Sequence, residues 1–302
     1  MSVSTAQHPP AAGAQPDRRA AMAGLIAGAL VISLAPILVR LSSTGEAATG
    51  FWRLVFAAPL LALMSLRGAA APLGRPSRFM IAAGLAFALD LACWHYGIRF
   101  TSVANATVLP NLTPVIVTVG AWMFLRETPT RVFVVGMAVS VAGAVVMALA
   151  NAGAAATGPR PHLGDALSAS TALWYALYFL AVRRSRAEAG ATPVMFWSSV
   201  AAAPVLLVIA VVLGEQVWPQ TALAWAPLVG LGIMHVAGQG AIAWSLGRLP
   251  AATAALVALI QPVAAAIIAY FLFGETLSPW QTVGGALALG GVVLAQLKSR
   301  AA

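Results

Sequence analysis

Charge is what this sequence has least of. Asp, Glu, Lys and Arg supply 8% of its 302 residues, where soluble domains carry about 25%. A chain that is 61% hydrophobic cannot cover itself with polar surface, so a water-soluble domain is excluded. Cysteine is nearly absent. The single Cys93 lies inside an apolar run and excludes both a disulfide framework and a cysteine metal cage. No GxxxxGK[ST] loop, no HExxH and no nucleophile beside a base occur, which removes ATP-driven transport by this chain and the recognisable hydrolase chemistries. No cluster of His, Asp or Lys gathers at one end of the apolar runs, as a membrane-embedded enzyme requires. No metal or cofactor is expected. The net charge of +9 forms no basic block, so nucleic acid is not expected as a partner either.

What fills the chain is apolar runs of about 20 residues, each long enough to cross roughly 30 Å of hydrocarbon as a helix. Ten are read, at about 21–40, 46–66, 78–99, 102–125, 130–150, 162–182, 191–213, 221–246, 250–273 and 278–297. Their length and lack of alternation exclude a β-barrel, whose strands run about 10 residues with period two. Residues 1–20 read as a disordered tail. Arg18-Arg19 mimics a signal peptide, but the following run is too long and is expected to be retained as a span.

The chain repeats itself. FWRLVFAAP (51–59) and FWSSVAAAP (196–204) agree at six of nine positions, 145 residues apart. At a shift of 148, Tyr96–Ala144 lies over Trp244–Val292 without gaps. Pro114 then falls on Pro262, Glu127-Thr128 on Glu275-Thr276, Gly136 on Gly284 and Gly143 on Gly291. Two five-span halves follow, 21–150 and 162–297, with a linker at 151–161 and a tail at 298–302. Pro59, Pro114, Pro204 and Pro262 sit inside apolar runs, where a missing N–H and the ring clash predict kinks. The glycine pairs suit close helix approach in lipid.

Five is odd, so the second half enters the membrane inverted. With the N-terminus inside, inner segments hold Arg18, Arg19, Arg67, Arg75, Arg78, Arg126, Arg131, Arg183, Arg184, Arg186, Arg248, Lys298 and Arg300. Outer segments hold Arg40, Arg99 and Arg160. Thirteen against three satisfies the positive-inside rule with both termini cytoplasmic.

Each half has a Pro-bearing helix, a Glu loop and a Gly-rich helix: TSVANATVLPNLTPVIVTVGAWMFLRETPT with GMAVSVAGAVV, and LPAATAALVALIQPVAAAIIAYFLFGETLS with GGALALGGVVL. This pattern resembles the drug/metabolite transporter superfamily, specifically the ten-helix proteins with two EamA domains. It covers nearly all of the chain after residue 20. Gly274-Glu275 departs from Arg126-Glu127. The resemblance implies an all-α membrane protein of ten transmembrane helices in two inverted five-helix repeats. It also implies export of amino acids or drugs, or carriage of other metabolites.

Inverted-repeat carriers place substrate near the midplane between halves, so polar residues present in one half only are the site candidates. Asp90 lies over Gly238; a carboxylate at that depth faces a cavity or a partner, to hold an ammonium, carry a proton or pair with Arg53. Arg53 lies over Ser198 and either snorkels, pairs internally or takes a carboxylate. Trp94 shares the face of Asp90, while His95 points away and can be a packing residue. His235 and Gln239, at i,i+4, lie over Phe87 and Leu91. Asn105, Asn111 and Gln261 sit near the prolines, where they can satisfy freed carbonyls or meet substrate. Ser168, Thr171, Tyr175 and Tyr178 fall on one helical face beside Trp174, either as helix packing or as a cavity wall. The corresponding face of the first span, Leu25, Gly28, Ile32 and Ala35, is smooth. Trp122, Trp218, Trp225 and Trp280 lie near span ends as belt residues.

The expectation is a bacterial inner-membrane carrier exporting neutral, above all aromatic, amino acids by alternating access, working as a monomer with lipid as its other partner. Efflux of hydrophobic amines is the alternative within the same class. A membrane enzyme or a channel is the alternative outside it.

Overall fold

The computed structural model describes residues 18–67, 71–100, 109–149, 159–273 and 278–297; Asn105, Glu275 and Thr276 lie outside them. Every regular element among the described residues is helical. Lipid offers backbone groups no partner, and a helix satisfies them within one segment. The helices are α1 (Arg18–Ile32), α2 (Ala35–Arg40), α3 (Glu46–Leu66), α4 (Arg78–Phe100), α5 (Thr113–Leu125), α6 (Arg131–Leu149) and α7 (Pro161–Ser185). They continue with α8 (Ala191–Val212), α9 (Ala226–Met234), α10 (Gly240–Leu246), α11 (Ala251–Val257), α12 (Ile260–Phe273) and α13 (Pro279–Leu297). Six segments among the described residues are long and apolar enough to cross a membrane: Arg18–Arg40, Glu46–Leu66, Arg78–Gly97, His162–Ser185, Ala191–Val212 and Leu223–Leu246. Four shorter apolar helices accompany them, at Leu109–Leu125, Arg131–Val146, Ala251–Ala265 and Thr282–Ala295.

The prolines act in two ways. Pro59 and Pro204 stay inside α3 and α8. Pro114 and Pro262 instead stand in the first turn of α5 and α12, each after a break, where a missing N–H is harmless. Pro262 has no N–H for the Ala258 carbonyl, and the Gln261 backbone N–H takes it at 2.9 Å. Before Pro114, the Thr113 hydroxyl donates to the Pro110 carbonyl at 2.7 Å. The runs expected as continuous at 102–125 and 250–273 are thus interrupted where described. The eighth run carries a further irregularity, a π-turn at His235–Gln239 joining α9 to α10.

The halves interlock. In the first half α3 packs on α8 and α9 of the second, while α4 packs on α7 and α8. A Cβ on Gly84 of α4 would meet the Ser198 carbonyl of α8, and one on Gly232 of α9 would lie 2.5 Å from the Phe56 Cβ of α3. The two contacts are repeat-related. So are two tryptophan bonds: Trp52 Nε1 donates to the Val217 carbonyl at 2.7 Å, and Trp197 Nε1 to Leu73 at 3.1 Å. The duplicated FW phrase therefore anchors each helix to the loop beyond its partner helix. Trp52 also meets Trp218 and Trp225 edge to face, with 5.0 and 4.7 Å between ring centroids.

Glycine closes the α6–α13 pair. A Cβ on Gly136 would lie 2.7 Å from the Gly291 carbonyl, and one on Gly143 2.7 Å from the Gly284 carbonyl. Ser140 Oγ adds a bond to the Ala288 carbonyl at 2.8 Å. Contacts that run 136 to 291 and 143 to 284 make the pair antiparallel, as inverted copies require. Glutamates tie the halves at opposite ends. Glu127 accepts from Arg183 Nε (3.0 Å) and the Ala251 N–H (2.8 Å). Glu215 accepts from the N–H groups of Ala47 (3.1 Å) and Ala48 (2.9 Å) and from the Tyr96 hydroxyl.

Candidate functional site

Between the halves, α3, α4, α7, α8, α12 and the π-turn direct polar and aromatic groups at one another. Arg53 stands two turns into α3, about 10 Å along it at 1.5 Å per residue, and is 5% exposed. It does not reach for the membrane surface. Its Nε donates to His235 Nδ1 at 3.3 Å, and its guanidinium lies 5.4 Å from the Phe87 ring centroid, in cation–π range. Because Nδ1 accepts, His235 carries its proton on Nε2, which lies 3.3 Å from Ser199 Oγ. Ser199 passes its own proton to the Met195 carbonyl at 2.8 Å. The chain Arg53–His235–Ser199–Met195 thus has one consistent direction and leaves the terminal guanidinium nitrogens of Arg53 uncommitted to it.

Asp90 lies mid-way along α4, 7% exposed. Among the described residues its carboxylate has no hydrogen bond or ion pair, although Arg53 lies within its electrostatic reach. An unpaired carboxylate at this depth costs several kcal/mol, which marks the position as one built for something other than stability. Phe87, one turn earlier, stacks on Tyr178 at 4.7 Å, and Tyr178 lies parallel to Tyr175 at 5.9 Å with 6° between the planes. The Tyr178 hydroxyl meets Met195 Sδ at 3.7 Å. The Tyr175 hydroxyl is turned toward the Gln239 and Gln261 amides. Gln239 Oε1 and Gln261 Nε2 are buried without a hydrogen-bond partner among the described residues.

The other candidates lie elsewhere. Ser168 is fully buried against Gly97, where α7 crosses α4, and Thr171 returns its hydroxyl to the Leu167 carbonyl at 3.2 Å. The polar stripe of α7 therefore divides into a packing end and an aromatic end. His95 Nδ1 bonds the Glu46 carbonyl at 2.9 Å and belongs with Tyr96 and Glu215 at one end of the bundle. Half-buried Trp94 sits 5.1 Å from the His95 ring. Asn111 is buried in the 3₁₀ turn Leu109–Leu112 beside α7, with Nδ2 unpartnered among the described residues. Phe87 and Ser199 were missed as members of the cluster. The signal existed, since Phe87 is the repeat partner of His235, and Ser199 is a polar residue where the other copy has Leu54.

The EamA-like transporter family matches residues 19–149 and again 162–297. An uncharacterized transporter of Archaeoglobus fulgidus is 24% identical over 90% of this chain and 95% of its own. A "probable terminal-alkyne amino-acid exporter" of Streptantibioticus cattleyicolor is 27% identical over 85% of this chain and 86% of its own. The threonine/homoserine exporter RhtA of Escherichia coli K12 is 30% identical over 45% of this chain and 44% of its own. A crystal structure covering 95% of this chain and 100% of its own superposes with a TM-score of 0.79 at 18% identity, which speaks for the fold alone. The duplicated match spans nearly the whole described bundle, and the chain belongs to the EamA-like transporter family of the drug/metabolite transporter superfamily, a multi-pass membrane transporter and not an enzyme.

Proposed function

We propose that the chain is a bacterial inner-membrane carrier that exports neutral amino acids with aromatic or other apolar side chains. The observation that carries this reading is the unpaired Asp90 carboxylate beside the Phe87–Tyr178–Tyr175 wall, with Arg53 in electrostatic reach. A zwitterion answers each element: its ammonium neutralises Asp90, its carboxylate takes the terminal nitrogens of Arg53, and its side chain lies on the rings. Relatives named as amino-acid exporters support the same substrate class. The ten spans act as two inverted halves that rock about this cluster, with both termini cytoplasmic. One chain supplies every site residue, so the monomer suffices. Efflux of hydrophobic amines is the second reading, and Asp90 with the aromatic wall would serve it without Arg53.

Counterflow in proteoliposomes tests the proposal. Vesicles preloaded with unlabelled amino acid should take up labelled phenylalanine, tryptophan, methionine or threonine faster than empty ones. Stable protein that gives no trans-stimulated entry of any amino acid, yet counterflows phenethylamine, would replace the first reading with the second.

A further inference from the structure

A cavity borders the central cluster at the end that the arginine asymmetry assigns to the cytoplasm. It is a cleft of about 460 Å³, and two arginines, Arg186 and Arg248, line it. Arg186 donates Nε to the Ala243 carbonyl at 2.9 Å and a terminal nitrogen to Ala189. Arg248 donates to the Trp244 carbonyl at 3.0 Å and lies 4.0 Å from the Trp244 ring centroid. Nearby, Arg183 pairs with Glu127 and Arg184 with Glu188; among the described residues neither cleft arginine has a carboxylate. Burial lowers the Arg186 pKa below its ordinary value, and the charges of Arg248 and Arg183 lower it further. Positive charge is left over here.

The repeat says what is missing. At the opposite end, Gly45 caps α3 (φ −64°, ψ 170°), and a Cβ on it would lie 2.6 Å from the Glu215 Cβ. The Glu215 carboxylate fills that helix start, bonded by Ala47, Ala48 and Tyr96. Gly190 caps α8 in the same conformation (φ −61°, ψ 165°), and a Cβ on it would lie 2.6 Å from the Ala71 Cβ. Ala71 therefore stands where Glu215 stands, 144 residues earlier, and brings only a methyl. Trp244 and Arg248 are the partners of Tyr96 and Phe100 at the shift of 148. Ala71, Gly190, Thr192 and Trp244 all line the cleft. One end of the protein holds its own carboxylate, and the twin place holds a cavity with two uncompensated guanidiniums.

We infer that the cleft is a capture site for the carboxylate of an amphiphilic substrate, which binds where the Glu215 carboxylate sits in the twin. Arg248 and Arg186 supply the charge, and the Thr192 N–H stands in for that of Ala47; Pro193, in place of Ala48, offers none. Leu61, Met195 and Val236 give the substrate's side chain an apolar wall. Val236 belongs to the π-turn that carries His235 and Gln239, so the cleft adjoins the central cluster and can hand substrate on to it. The inference rests on the carrier reading and adds a requirement for a carboxylate at entry.

The decisive variant is Ala71→Glu, which gives the cleft the internal carboxylate that its twin already accommodates. Ala71→Gln is the neutral control, and Arg248→Gln tests the same site should Ala71→Glu not fold. Two measurements on the full-length protein are made: counterflow KM for phenylalanine, and the shift in thermal unfolding by 3-phenylpropionate, by phenethylamine and by inorganic phosphate. Expected are a KM at least tenfold higher in Ala71→Glu but within threefold in Ala71→Gln, and protection by 3-phenylpropionate that Ala71→Glu or Arg248→Gln abolishes. Folded Ala71→Glu with the wild-type KM and wild-type protection overturns the inference. Protection by phosphate or phenethylamine but not by 3-phenylpropionate overturns it as well. Protection that is lost in Ala71→Glu, in a protein that counterflows no amino acid, keeps the carboxylate site and sinks the amino-acid reading instead.

Discussion

Replacing Asp90 by Asn removes an ionisable group and almost no volume. In the protein alone this should cost nothing, because the carboxylate is 7% exposed and has no hydrogen bond or ion pair among the described residues. Removing a buried carboxyl group that has no partner leaves the unfolding midpoint unchanged or raised. In the complex the change should cost one charge-assisted hydrogen bond to the substrate ammonium, about 1.5–3 kcal/mol. At one decade per 1.4 kcal/mol, counterflow KM for phenylalanine should rise by about 10–150-fold. Counterflow is the right assay because equal pH on both sides removes any proton gradient from the measurement. A KM within threefold of wild type would refute the ammonium contact. If counterflow is then intact while pH-driven uphill export disappears, Asp90 carries a proton instead. A lowered midpoint would refute the premise, since it would mean that the carboxylate holds structure together.

Other perturbations are graded by the same geometry. Tyr178→Ala should raise KM at least tenfold by removing the ring stacked on Phe87, whereas Tyr178→Phe, which loses only a 3.7 Å contact to Met195 sulfur, should stay within threefold. Adjacent glycines of α13 separate packing from propensity. Gly291→Ala should shift the detergent-solubilised protein toward aggregates on size exclusion, because its Cβ would meet the Gly136 carbonyl at 2.5 Å; Gly290→Ala, with nothing within 4 Å, should elute as wild type. Glu215→Gln should lower the unfolding free energy by about 1.5–3 kcal/mol, the worth of charged bonds to the first turn of α3, read from denaturant unfolding in detergent. An unchanged curve would mean that Glu215 is dispensable as a cap.

The fold was legible because lipid makes few demands and the chain states them twice. Apolar length located the helices, and the Gly136/Gly284 and Gly143/Gly291 pairs announced a contact that α6 and α13 make with each other. Local breaks were harder to read. Pro114 and Pro262 looked like kinks within runs, but each opens a new helix, since Thr113 and the Gln261 N–H satisfy the carbonyls nearby. The π-turn at His235–Gln239 has no composition signal. The asymmetry filter singled out Arg53, Asp90 and His235 as candidates but could not rank them, because spacing along one helix is silent about which neighbour faces it. Ser168 and Tyr178 share a helical face in the sequence. Gly97 meets one and Phe87 the other, and only tertiary contact separates the packing end from the aromatic end.

The repeat also fixes where the cluster lies. Phe87 and His235 are partners at the shift of 148, and their rings face each other at 5.5 Å. Equivalent residues of two related halves can touch only near the axis that relates them. On the proposed rocking of the halves, groups on that axis would move least while the ends exchange roles, so a substrate held there would stay bound as access alternates. Partner positions that kept their residues do the same work in both halves, as Trp52 and Trp197 do. Positions that diverged carry the polarity: Arg53 against Ser198, Asp90 against Gly238, Glu215 against Ala71. The first two pairs place both charges of the central cluster on the first half, where Tyr175 and Tyr178 of the second half meet Phe87 of the first. The third leaves one end sealed by the protein's own carboxylate and the other open to a carboxylate from outside. A carrier whose halves differ in this way presents unequal entrances to its two sides, while the direction of net flux is set by the gradients that drive it.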